Sequence, residues 1–183
     1  MQTPFKRIAD GIDRTNAAIA RAAMWCALFM VLAEFASVVM RYAFGIGSIA
    51  LQEAVLYAQS ALVLLGAAWT LQIGGHVRID VFYAQAPPRR RALIDLCGAL
   101  VFLLPFAVAL TVLSIPYAAR SWRILEHSRE ASGLPLVYLL KSLIPLFAIL
   151  IGLQGVSQAL RAALLLIEPA AHLPLSSPVR GRG

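Results

Sequence analysis

The chain is short of charge, histidine and cysteine, and each shortage removes a class of function. Charged residues fill 14% of 183 positions against 60% hydrophobic, and mean hydropathy is +0.77. A soluble domain needs a largely polar surface, so this balance excludes one and predicts a polytopic membrane protein. The two cysteines, Cys26 and Cys97, both fall inside apolar runs, which excludes a loop disulfide and gives no reason to assign either thiol a metal or redox role. His76, His127 and His172 are scattered over loops, with His76 and His127 expected on opposite sides of the membrane, so a bis-histidine haem within a bundle is excluded. Phosphate-binding glycine loops, HExxH, G-x-S-x-G and paired acids within one helix interior are all missing, so neither an enzyme nor a bound cofactor is predicted. Acids are outnumbered nine to sixteen, a net charge of +7. In a soluble chain that excess would suggest nucleic acid, but here the bases flank apolar runs, where they meet lipid headgroups.

What is present is four apolar runs. Residues 1–21 read as an amphipathic interfacial helix, with Thr3 as N-cap, Pro4 at the first helical position, and Phe5, Ile8, Ile12 and Ile19 on one stripe opposite Lys6, Arg7, Asp10 and Arg14. The two acids of this segment, Asp10 and Asp13, read as salt-paired surface. Spans are predicted at 22–40, 53–73, 92–115 and 136–160, each near the 20 residues that cross a bilayer. The first contains Glu34, the one acid in the middle of an apolar run. A carboxylate facing acyl chains costs several kcal/mol, so Glu34 is expected to face protein, water or a partner. Glycines 74 and 75 end the second span, and Pro87, Pro88 and Arg89 to Arg91 form a stop and a basic cluster. Pro105 is expected to kink the third span. After Pro116 the pattern stays helical and turns amphipathic until Gly133 and Pro135, and this extension is predicted to stand outside the membrane. In the fourth span Lys141 is expected to snorkel, and Gly152, Gly155 and Ser157 form a small-residue edge for close packing. Residues 161–183 read as a disordered tail.

Lysine and arginine between and beyond the spans fix the expected orientation. Eleven fall in the N-terminal segment, the loop after the second span and the tail, against four (Arg41, Arg120, Arg123, Arg129) on the other side. Both termini are therefore predicted to be cytoplasmic, with the extension after the third span facing the periplasm.

One stretch is more specific than any of these patterns. Glu53 stands one turn before Tyr57, Leu65 to Ala68 read LGAA eight residues after that tyrosine, and Gly74, His76, Arg78 and Asp80 follow as G-x-H-V-R-I-D at the helix exit. This combination resembles the signature of the small membrane subunit (DctQ family) of tripartite ATP-independent periplasmic (TRAP) transporters. The segment from Ser128 to Gly155 also resembles that family's exit from its third span and its fourth helix, so the likeness covers roughly residues 41–161. Departures stand at Gln52, Ala61, Gln72 and Ile73, where the family pattern often has an acid, a tryptophan and one or two bases.

The resemblance implies an all-α, multi-pass protein of the bacterial inner membrane with no catalytic role of its own. It implies a large permease subunit and a periplasmic substrate-binding protein as partners, with uptake of a small organic acid by symport down an ion gradient. On position and chemistry, Glu34, Arg41, Glu53, Tyr57 and Gly66 are the expected contacts with the large subunit, and Arg120, Arg123 and Glu130 with the binding protein. The competing expectation is a self-sufficient proton-coupled exporter, a homodimer working through Glu34. The charged extension outside the membrane argues against it, as does the lack of a broken-helix pair related by an internal repeat.

Overall fold

The computed structural model describes residues 4–76, 83 and 86–167. Among them there is no strand. The helices are α1 (Pro4–Phe44), α2 (Ile49–Gln72), α3 (Pro88–Cys97), a π-helical turn (Gly98–Leu103), α4 (Leu104–Arg123) and α5 (Val137–Ile167). The run from α3 through the π turn to α4 is one membrane-length helix, so four described helices are long and apolar enough to cross a bilayer. The molecule is thus an all-α, multi-pass membrane protein.

The helix ends follow local chemistry. Gly45 stops α1 with φ 67°, its N–H donating to Arg41 O at 3.1 Å. Ser48 starts α2, its hydroxyl accepting from Leu51 N at 3.3 Å. Gly74, at φ 69°, turns the chain away after α2. The π turn lies directly upstream of Pro105, with Leu104 N–H reaching back five residues to Ala99 O. A widened turn there relieves the clash between a proline ring and the carbonyl four residues before it.

Helix α5 packs against every other helix, whereas α4 touches only α5 and the π turn, and α3 only these same two. Helices α1, α2 and α5 form a three-way cluster with α3 and α4 laid along the free side of α5. Gly155 and Gly152 permit that close approach: a Cβ at Gly155 would come within 2.9 Å of Leu103 Cδ2, and one at Gly152 within 3.2 Å of the Ala107 Cβ. One end of the bundle carries the 45–48 turn and residues 124–136, and is called the loop pole. The other carries the first turns of α1, the end of α2, the start of α3 and the end of α5, and is called the terminal pole.

Three expectations change. The first 21 residues are not a separate interfacial helix, because α1 runs unbroken for 41 residues, about 60 Å, through Arg21. On this stretch of α1 the residues that face the other helices are the small and polar ones. Phe5 and Ile8 are exposed, while Ala9, Asp13, Asn16, Ala20 and Ala23 are buried. Small residues let the helix backbones approach closely, and the polar ones find hydrogen-bond partners across the contact. The extension after the third span ends at Arg123, about two turns past residue 115, and not at Gly133. Helix α5 continues to Ile167, seven residues beyond the predicted span, so Arg161 belongs to the bundle and not to a frayed tail. Thr3 and residues 168–183 lie outside the described residues.

Candidate functional site

At the loop pole, Glu53 is the centre of a tight arrangement. It lies in the first turns of α2, and its carboxylate accepts from the Ser128 hydroxyl and from Leu134 N at 2.6 Å. Ser128 Oγ also accepts from Glu130 N at 3.2 Å, and Ser128 N donates to Leu134 O at 3.3 Å. Gly133 fits against this group only because it has no side chain: a Cβ there would overlap Ser128 and come within 2.8 Å of Glu53 Oε1. Glu53 therefore clamps the 124–136 segment onto α2.

The same segment is tied to α5. Lys141 Nζ donates to Glu126 Oε2 at 2.5 Å and lies 4.5 Å from the centre of the Tyr117 ring. Its ammonium holds the Glu126 carboxyl below the usual carboxylate range. Trp122 Nε1 donates to Ser142 Oγ at 2.7 Å, and its ring meets Tyr138 edge-on at 4.6 Å. The end of α4 is a Schellman motif, with Leu125 N bonded to Trp122 O and Glu126 N to Ser121 O. Leu125 occupies the left-handed position at φ 45°, where glycine is usual. Arg120, Arg123, Arg129 and Glu130 are all exposed around this built segment.

The other predicted contact residues lie apart from it. Glu34 and Arg41 sit seven residues apart on one line of α1, both exposed, and neither side chain has a hydrogen bond or ion pair among the described residues. The neighbouring side chains Val31, Phe35, Val38 and Tyr42 are exposed as well, Tyr42 to 84%. Tyr57 is half-buried in α2 with no hydrogen-bond partner among the described residues. A Cβ added at Gly66 would meet no heavy atom within 4 Å, so the small-residue step leaves open space beside α2. Gly74 and His76 are exposed at the terminal pole, and Arg78 and Asp80 lie outside the described residues.

The terminal pole holds a polar cluster that the sequence pattern did not bring out. Asp13 accepts from Gln154 Nε2 at 3.0 Å, from Ser157 Oγ at 2.8 Å and from Arg161, which also reaches Asp10 at 2.7 Å. Asn16 Nδ2 donates to Gln154 Oε1 at 2.7 Å. Asn16, Gln154 and Ser157 are fully buried, so the acids of α1 are paired as read but Asp13 is interior. The available signal was the run Ala9, Asp13, Asn16, Ala20, Ala23, spaced by alternating fours and threes as one face of a helix requires. Nearby, Gln158 Nε2 donates to Leu71 O at 3.2 Å, the Tyr83 hydroxyl donates to Asp95 at 2.7 Å, and Arg91 lies 5.6 Å over the Tyr83 ring. Arg91 thus has a structural role, whereas Arg89 and Arg90 are exposed.

The family model described as "Tripartite ATP-independent periplasmic transporters, DctQ component" matches residues 30–165. No curated protein and no solved structure matches the chain.

Proposed function

The chain belongs to the DctQ component family of tripartite ATP-independent periplasmic transporters, and from that premise we propose that it is the non-catalytic small membrane subunit that scaffolds a large permease subunit. The observation that carries this reading is Glu34. It is a carboxylate in the middle of an apolar helix, exposed on the outward face of α1, with no partner among the described residues. A lone charge in hydrocarbon costs several kcal/mol, and a cation or hydrogen-bond donor from an adjoining subunit removes that cost. Arg41, Tyr57 and the open space beside Gly66 extend the same argument along α1 and α2.

In this reading both termini are in the cytoplasm of a bacterium, the membrane is the inner one, and the loop pole faces the periplasm. Three exposed arginines within ten residues, on the side where basic residues are normally depleted, suit a soluble partner with an acidic surface. Arg120, Arg123 and Glu130 are then contacts for the substrate-binding protein. Glu53 acts here through the fold, by holding the 124–136 segment in the shape that partner meets. The assembled transporter takes up a small organic acid by symport with an ion. The test is Glu34→Gln in the tagged chain: the yield of co-purified large subunit falls about tenfold while the melting temperature of the chain alone is unchanged. An unchanged yield would remove Glu34 from the interface.

A further inference from the structure

A cleft of about 400 Å³ opens at the terminal pole between α1, the end of α2 and α5, lined by Asp10, Asp13, Arg14, Arg21, Gln72 and Arg161. Its charges are unevenly committed. Arg161 is bonded to both aspartates, whereas Arg14 and Arg21, seven residues apart on one line of α1, are exposed with no hydrogen bond or ion pair among the described residues. Three arginines against two aspartates leave one net positive charge. Gln72 Oε1 is buried in the wall with no donor among the described residues, an acceptor that costs free energy until one arrives.

The depth of the cleft identifies its surroundings. Gln72 is the last residue of α2, where the apolar run gives way to the turn at Gly74, so the cleft lies at the headgroup level. The line through Arg14 and Arg21 continues along α1 into Met24, Trp25, Leu28 and Leu32, all exposed, with Trp25 at 69% one turn beyond Arg21. Two cations, then a tryptophan, then an apolar ribbon is the order in which a phospholipid presents phosphate, ester region and acyl chains.

We propose that this cleft binds a phospholipid carrying one negative charge and a hydroxyl-bearing headgroup, of the phosphatidylglycerol type. Arg14 and Arg21 hold the phosphate, a headgroup hydroxyl donates to Gln72 Oε1, and the acyl chains lie along α1. The inference rests on the cleft alone and is independent of the partner assigned above.

The test is native mass spectrometry of the full-length chain released from nanodiscs made with equal phosphatidylglycerol, phosphatidylethanolamine and phosphatidylcholine. The expected result is preferential retention of phosphatidylglycerol. Arg14→Gln with Arg21→Gln lowers that retention about tenfold or more, since each base near an anionic surface contributes a factor of about five. Arg14→Lys with Arg21→Lys keeps most of it, and circular dichroism confirms that both double variants stay helical. Three results overturn the proposal: phosphatidylcholine retained equally well, retention indifferent to the loss of both arginines, or soluble glycerol 3-phosphate bound as tightly as the lipid.

Discussion

Gly133 and Leu125 are two positions in the 124–136 segment where the presence or absence of a side chain decides the fit. Gly133→Ala would push a methyl group into Ser128 and the Glu53 carboxylate. The expected loss is about 1 to 2 kcal/mol, read as a lower melting temperature in detergent, and an unchanged value would mean that Glu53 does not clamp the loop. Leu125 has the opposite problem, since a side chain at φ 45° costs about 1 kcal/mol that glycine avoids. Leu125→Gly is expected to raise the melting temperature, and a fall would show that the half-exposed leucine is held by packing. Glu126 sets a pH dependence. Its carboxyl is held low by the Lys141 ammonium, so its contribution is present above the ordinary carboxylate pKa and is lost as pH falls through the lower, folded value. Melting of the wild type should therefore decline below about pH 4.5, and Glu126→Gln should flatten that part of the profile. None of this was legible in sequence, because Gly133 and Glu126 depend on which residues meet across the loop and Leu125 on a backbone angle that leucine rarely adopts.

At the scale of elements, hydropathy pointed to four spans, but the first 21 residues were read as a helix lying on the membrane and not as the start of α1. The stripe of Phe5, Ile8, Ile12 and Ile19 was read as the membrane-facing side of an interfacial helix, which left the packing face of α1 unread. That face is the small one: Ala9, Ala20 and Ala23 pack inside, and Asp10 and Asp13 beside them find partners on α5. The glycines of α5 were legible because small residues at helical spacing mean close approach in either solvent. The end of α4 was not, since the amphipathic pattern runs on past a Schellman turn closed by a leucine. Asp13 tests the α1 to α5 contact. Asp13→Leu leaves Gln154, Ser157 and Arg161 short of their acceptor, and about 2 kcal/mol of stability should be lost. Thermal melting with unchanged midpoint would mean that the polar cluster contributes nothing net.

At the scale of the molecule, one helix at the centre and two groups laid against it leave a large outward surface. Phe102, Val108, Val112 and Leu113 of the π turn and α4, with Val31, Phe35 and Tyr42 of α1, are exposed on helices that do not touch each other. A chain with this shape has room for a neighbour on more than one side, and the family resemblance was legible because its signature is a local spacing along α2 and its exit, which can be read without knowing what packs against it. The direct test of the subunit reading is affinity purification of the full chain from its native membrane in mild detergent, followed by mass spectrometry. The account predicts a stoichiometric large membrane protein of a dozen or so helices. Recovery of a homodimer without that partner would contradict it and make Glu34 the centre of an independent transporter.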